Sequence, residues 1–112
     1  MPHQNTFRAL ADPTRRQILM HLSTGDKTIA QVCDNFEMTR AAVKKHLTIL
    51  QQGDLISVKA KGRERINHLE PMALKSVASW LEYFNQFWDE KLSDLKSAVE
   101  THEKQTKKEQ TK

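Results

Sequence analysis

The chain has few cysteines and glycines and no long apolar run, and several classes of active site and membrane segment require these. It has one cysteine, which excludes an internal disulfide and fits a reducing cytosol. Three glycines leave no glycine-rich phosphate loop, and no nucleophile and base stand at a readable spacing, so nothing supports an enzyme. No apolar run approaches the ~20 residues of a membrane span, and Met1–Thr6 lacks the apolar core of a signal peptide. We therefore expect a cytoplasmic protein without a membrane partner.

Histidines and the single cysteine are too scattered to predict a metal site. A tight zinc site needs three or four converging ligands, but the histidines stand at positions 3, 21, 46, 68 and 102. His21 and His68 are expected to be structural. Cys33 falls on an inward helix face without a resolving partner, so we expect a small core residue rather than a redox switch. We expect no metal and no other cofactor.

Positive charge is concentrated in one stretch of the chain. The 112 residues suit a single domain with a net charge of +4. Residues 39–65 hold seven Lys or Arg against two Asp or Glu, whereas residues 66–100 hold three against six. A polyanionic partner explains this concentration better than general solubility does.

The stretch Thr28–Gly53 predicts two helices joined by a tight turn. Thr28 and Gln31 fit a capping box that starts the first helix, and Thr39 is a natural N-cap for the second. Gly53 is expected to end the second helix in the C′ position. Three apolar residues of that helix recur at spacings of four and three and should face inward: Val43, Leu47 and Leu50.

The outward face of this second helix is polar and partly cationic. It carries Arg40, Lys44, Lys45, Thr48 and Gln51. Cations near the N-terminal half of a helix with few exposed apolar residues suit the major groove of DNA. A solvated surface helix is the alternative, because Lys and Arg are common on any helix.

Residues 55–69 change from a helical to an alternating pattern. Ile56, Val58 and Ala60 alternate with polar residues, and a turn follows in which Gly62 can take a positive φ. This predicts a β-hairpin with a basic tip, which we call the wing. Its candidate DNA contacts, on phosphates or in the minor groove, are Lys61, Arg63 and Arg65. An edge hairpin whose cations guard against aggregation is the alternative.

Helices are also predicted at both ends of the chain. Asn5–Leu10 should form a short helix with Phe7 and Leu10 inward. Asp12 should cap a second helix, whose first position suits Pro13. The last helix, from Pro71 to about Thr101, would be roughly 45 Å long.

Apolar residues recur along this last helix at spacings of three and four: Leu74, Val77, Leu81, Phe84, Trp88, Leu92, Leu95 and Val99. Because a domain this small cannot cover such a helix, a homodimer is the simplest partner. The expected dimer contacts are Phe7, Leu81, Phe84, Trp88, Leu92 and Leu95. The alternative is a small-molecule pocket in the aromatic cluster of this helix, formed by Trp80, Phe84, Phe87 and Trp88. Residues 1–101 would form the DNA-binding and dimerisation domain, and the polar residues 102–112 a fraying or disordered tail.

With these parts placed, residues 5–100 resemble the ArsR/SmtB family of bacterial winged helix-turn-helix repressors. FRALADPTRRQIL and TRAAVKKHLTILQQGDLI are typical of its first helices and its recognition helix. VKAKGRERINHL looks like its wing, and SWLEYFNQFWDEKL resembles the dimer helix of a metal-independent subgroup. The resemblance implies a mainly α fold with a small β-hairpin, dimeric through a long C-terminal helix.

The resemblance also implies a function. Members are homodimeric repressors that bind inverted-repeat operators in double-stranded DNA and often repress their own operon. By resemblance, five residues fall where the family meets DNA: Thr39, Arg40, Lys44, Lys45 and His46.

The metal chemistry of the family does not carry over to this chain. Many members bind metals through paired cysteines on the helix before the turn, where this chain has QVCDN with Cys33 alone. Others use Asp and His ligands on the terminal helix, which here has no histidine before His102. Two alternatives stay open: a metal-responsive repressor, and a protein-interaction module that uses the aromatic helix. The sequence identifies no inducer or partner protein.

Overall fold

The computed structural model describes the backbone of residues 4–110 and the side chains of residues 4–102. Over this part the elements are, in order, α1 (Gln4–Leu10), α2 (Pro13–Leu22), β1 (Lys27–Thr28), α3 (Ile29–Asn35), α4 (Arg40–Gln52), β2 (Ile56–Lys61), β3 (Glu64–Leu69), α5 (Pro71–Glu82) and α6 (Asn85–Gln110). The prediction of a mainly α fold with a small β part is confirmed. The chain divides into two compact units after Ala78.

In the first unit, α2, α3 and α4 each begin directly after the N-cap residue that the sequence predicts. The Asp12 carboxylate accepts a 3.1 Å hydrogen bond from the N–H of Arg15, with Pro13 in the first position of α2. Thr28 and Gln31 make both bonds of the predicted capping box at the start of α3. The Thr39 hydroxyl accepts from the N–H of Ala42 at 3.1 Å and starts α4.

The core of this unit is formed by the inward faces of α2, α3 and α4. Val43, Leu47 and Leu50 of α4 are buried, as their spacing predicts. They pack with the other buried apolar residues: Ala9, Ile18, Leu19, Leu22, Val32, Leu55 and Ile56. This cluster holds α4 so that its opposite face is exposed.

Helix α1 packs on the end of α4 through small side chains. Phe7 and Leu10, which were predicted to face inward, are half-buried, and Leu10 packs against the core. The spacing did not predict that Thr6 and Ala9 are buried more completely. The cause is the close approach of the two helices. A Cβ on Gly53 would lie 2.9 Å from the carbonyl oxygen of Asn5 and 3.3 Å from Cβ of Ala9. Only small side chains fit at such a contact.

Gly53 follows the last residue of α4, but it is the C-cap and not the predicted C′ residue. Its φ is −86°, and the left-handed conformation is taken instead by Asp54, with φ +58°. Glycine is needed at position 53 because α1 leaves no room for a side chain.

The predicted β-hairpin is present, and a third strand joins it. β2 and β3 pair antiparallel around the two-residue loop of Gly62, with φ +63°, and Arg63. The short strand β1, which the sequence pattern did not predict, pairs with the other edge of β3, so the order is β1-β3-β2. The buried Asn67 side chain donates a 3.1 Å hydrogen bond to the carbonyl of Lys27 and ties β3 to β1.

The prediction of one continuous C-terminal helix is wrong. α5 ends at Glu82, and the N–H of Phe84 donates to the carbonyl of Leu81, only three residues back. The Phe84 carbonyl then accepts from the N–H groups of Phe87 and Trp88 and starts α6. Tyr, Phe and Asn, which follow one another here, are all weaker helix formers than the residues around them.

The backbone of α6 is helical through Gln110, beyond the end predicted near Thr101. Of the predicted tail, residues 111 and 112 and the side chains of residues 103–110 lie outside the described residues.

Candidate nucleic-acid interface

A cleft of about 510 Å³ opens between the start of α3, the N-terminal half of α4 and the wing. Its lining residues are Thr28, Ile29, Ala30, Arg40, Lys44, Arg63, Glu64 and Arg65. Four of these eight side chains are cations and one is a carboxylate. We call this site the cation cleft. It brings together four of the eight residues for which the sequence predicts DNA contact.

Helix α4 contributes Arg40 and Lys44 to the cation cleft. They are four residues apart, so they lie one above the other on the same helix face, and both are exposed. Thr39, the N-cap, is exposed just before them, and its hydroxyl oxygen accepts from the N–H of Ala42. Lys45 is exposed but does not line the cleft, because one residue rotates the side chain about 100° around the helix.

The wing contributes Arg63, from its two-residue loop, and Arg65, from β3. Lys61, the third predicted wing contact, is exposed at the end of β2 but lies outside the cleft lining. A second cavity, of about 170 Å³, is lined partly by Arg65 and by the polar residues Thr48 and Gln51 of α4. Three residues of the outward face predicted for α4, Lys44, Thr48 and Gln51, therefore border this second cavity next to the wing.

The cations of the cleft are not neutralised by neighbouring carboxylates. Among the described side chains, His46 contacts Asp12 and His68 contacts Asp26. No ion pair in this part of the chain involves a residue of the cation cleft. Arg40, Lys44, Arg63 and Arg65 therefore present their charge to solvent. A surface of this kind attracts a polyanion, because nothing has to be displaced from the cations except mobile counterions.

His46 is not brought together with the cleft cations. Its Nδ1 lies 3.4 Å from Nη1 of Arg15 and 3.8 Å from Oδ2 of Asp12, and the ring is half-buried. The structure turns this side chain toward the start of α2, because position 46 lies between the exposed Lys45 and the buried Leu47. The sequence pattern could not show this orientation, which depends on how α2 packs on α4.

Sequence reasoning missed the role of the two arginines in ADPTRRQIL. Nε of Arg15 donates to the carbonyl of Ala9 at 2.8 Å, and its Nη2 donates to the carbonyl of Arg8 at 3.1 Å. Nη1 of Arg16 donates to the carbonyl of Leu10 at 2.7 Å. The two side chains together bond the last three carbonyls of α1.

The second unit presents an apolar face. Leu81, Trp88, Leu92 and Leu95, all predicted dimer contacts, are between 52 % and 66 % exposed, and Phe84 is half-buried. Phe84 packs edge-on against Trp80, with ring centroids 4.9 Å apart. A shallow apolar cavity of about 750 Å³ is lined by Trp80, Leu81, Phe84, Asn85, Phe87, Trp88 and Lys91. Phe7, the predicted dimer contact in the first unit, is half-buried.

His21 and His68 contact different side chains, and Cys33 packs against the core. Asn35 contacts Nδ1 of His21 at 3.3 Å, and Phe36 packs edge-on against this ring. Nδ1 of His68 lies 2.7 Å from Oδ1 of Asp26, and Cys33 is half-buried against the core. In the described part of the chain, His, Cys, Asp and Glu form no group of three or more that could hold a metal ion. Nor does any helix there have the length and apolarity to cross a membrane.

Comparison with known proteins points to one family. The family profile described as "Bacterial regulatory protein, arsR family" matches residues 12–58. The transcriptional repressor SdpR of Bacillus subtilis is 35 % identical over 80 residues, which cover 71 % of this chain and 89 % of SdpR. The HTH-type transcriptional regulator Rv2034 of Mycobacterium tuberculosis is 27 % identical over 95 residues, covering 85 % and 86 % of the two chains.

Solved structures agree with these relatives. The crystal structure of an ArsR family transcriptional regulator is similar with a TM-score of 0.72 and 32 % identity, over 79 % of this chain and 91 % of that one. An ArsR-like transcriptional regulator from Rhodococcus sp. RHA1 gives a TM-score of 0.73 and 30 % identity, over 89 % and 92 %. The residues matched by the family profile include α3 and α4, which contribute to the cation cleft.

Proposed function

Because the chain belongs to the ArsR family of bacterial regulatory proteins and is a DNA-binding transcriptional repressor, we propose how it holds its operator. Helix α4 enters the major groove, the wing lies on the phosphate backbone, and two copies bind an inverted repeat. The protein regulates transcription and is not an enzyme. We place its action in the cytoplasm, on the DNA upstream of its own gene.

The observation that carries this proposal is the cation cleft. Arg40 and Lys44 stand one helical turn apart on the N-terminal half of α4, the part of a recognition helix that reaches base edges. Arginine matches the two acceptors of guanine in the major groove, so Arg40 is the proposed base reader. Arg63 and Arg65 extend from the wing on the other side of the cleft and are the proposed phosphate contacts.

The apolar face of the second unit supports the proposed homodimer. Four large apolar side chains of α5 and α6 that are more than half exposed form a patch that a soluble chain covers with a partner. A second copy supplies a matching face by two-fold symmetry, and the same symmetry gives two copies of α4 facing inverted half-sites. Half-sites one turn of DNA apart, about 34–36 Å, fit such a dimer.

Titration of labelled DNA tests the proposal. Anisotropy is measured with a duplex from upstream of the gene and with a mixed-sequence duplex, at several salt concentrations. Two phosphate contacts per copy, Arg63 and Arg65, predict a slope of about −4 in log affinity against log salt for a dimer, or about 10²-fold weaker binding at 200 mM than at 50 mM. Equal affinity for both duplexes, or a slope near zero, would reject the proposal.

A further inference from the structure

One carboxylate lies among the cations of the cleft. Glu64 is the first residue of β3, is exposed, and lines the cleft together with the four cations. Its place is fixed by the hairpin: Lys61 is its partner across the strands, and the loop between them has only two residues. A loop this short fixes the strand register, so Glu64 keeps this position in the wing beside the cleft.

Glu64 forms no ion pair within the described side chains. Neither Lys61 opposite it nor the cations beside it in the cleft lie within ion-pairing distance of its carboxylate. Its carboxylate therefore lowers the positive charge of the cleft without being held by any one cation. A phosphate that approaches Arg63 or Arg65 also approaches this carboxylate.

The carboxylate of Glu64 repels a DNA phosphate bound beside it, and this repulsion does not depend on the DNA sequence. Nonspecific binding consists almost entirely of attraction between cations and phosphates, whereas operator binding adds base contacts. We propose that Glu64 weakens the attraction of the cation cleft for DNA phosphates and so keeps the affinity for DNA of arbitrary sequence low. This inference rests on the function proposed above. Operator occupancy then depends more heavily on the base contacts of α4.

The isosteric substitution Glu64→Gln tests this role. Gln keeps the size of the side chain and removes the charge. At 50 mM salt we expect it to tighten binding to both the upstream and the mixed-sequence duplex by roughly threefold or more, since one unit charge removed several ångströms from a phosphate has this effect in water. The gain should shrink toward 200 mM salt, so the salt slope becomes steeper.

The matched control is Glu90→Gln, which changes the net charge equally on the exposed surface of α6. It should leave both affinities and the salt slope unchanged. If Glu64 only stabilises the hairpin against Lys61, Glu64→Gln lowers the melting temperature and leaves the salt slope as it was, which overturns the proposal. Weaker binding to the upstream duplex alone also overturns it, because the carboxylate would then be a base contact.

Failure of this inference is distinguishable from failure of the proposed function. Wild-type protein that does not prefer its upstream duplex, or binds without salt dependence, contradicts the proposed function itself. Wild-type protein that binds as proposed while Glu64→Gln matches it at every salt concentration contradicts only the role of Glu64.

Discussion

The hydroxyl of Thr6 donates a 2.8 Å hydrogen bond to the carbonyl oxygen of Gly53, 47 residues along the chain. Thr6 is only 5 % exposed, so water cannot replace this bond easily. The bond joins α1 to the C-terminal end of α4, the helix that carries Arg40 and Lys44. The missing side chain at Gly53 is what lets the two backbones come close enough.

Thr6→Val should destabilise the fold. Valine has the same shape, but it leaves the buried Gly53 carbonyl without its donor, which costs about 1–3 kcal/mol. Thr48→Val is the control, because the Thr48 hydroxyl is exposed and bonds only within its own helix, to the carbonyl of Lys44. It should change stability by less than about 0.5 kcal/mol. Urea unfolding at one fixed protein concentration measures both, and equal effects would contradict the assignment.

Arg63→Ala and Arg65→Ala should weaken DNA binding to a similar extent on every sequence. Each should flatten the salt slope by about one unit for each phosphate that the variant no longer neutralises. Lys75→Ala removes an exposed cation outside the cleft and should change neither quantity. Anisotropy titrations over a salt series provide the comparison.

Arg40→Ala should act on sequence preference instead. Without the arginine at the base edge, binding to the operator should weaken by about 1–3 kcal/mol, and the preference at one base pair of each half-site should relax. Binding to a panel of operators with single base-pair changes measures this. Wing variants that alter sequence preference, together with an Arg40→Ala variant that does not, would reverse the two assignments.

Leu92→Lys should convert the dimer to monomer. A lysine in the middle of the proposed interface would bury an unpaired charge. Ser97→Lys adds the same charge about 200° around α6 from Leu95 and Val99, and should leave the dimer intact. Sedimentation velocity distinguishes these states. A wild-type chain that sediments as a single monomeric species would contradict the dimer itself.

Operator affinity should not depend on zinc. The metal sites that the family resemblance implies need a second thiolate near Cys33, which the sequence lacks, or Asp and His ligands on the last helix, whose one histidine is His102. Chelator and added stoichiometric zinc should both leave the affinity unchanged, and Cys33→Ser should alter stability alone because Cys33 packs against the core. A tenfold loss of affinity on adding zinc, about 1.4 kcal/mol of coupling, would reveal a metal site.

Features of the fold that depend on nearby residues were predictable. Asp12, Thr28 and Thr39 cap their helices because each side chain bonds a backbone N–H three residues ahead. The hairpin turn at Gly62 follows equally from local pattern. The candidate DNA contacts Arg40, Lys44, Arg63 and Arg65 were found because a charged, exposed face is visible in spacing alone, and the structure brings these four together.

Features that depend on distant residues were not predictable in this way. The two-residue strand β1 exists only because it pairs with β3, about 40 residues later, and no pattern so short identifies a strand. His46 contacts Asp12, the N-cap of α2, and Arg15 within that helix, and so lies away from the cleft. The break before α6 was missed because the apolar spacing continues through Phe84 without interruption.

The arginine contacts at the end of α1 have a consequence for the order of folding. A helix of seven residues is too short to persist alone in water, where about 12–15 residues are marginal. Its terminal carbonyls are held by Arg15 and Arg16, which are in place only once α2 has formed. We therefore expect α1 to form after α2 and to open first during native-state fluctuations, so that its amide hydrogens exchange faster than those of α4.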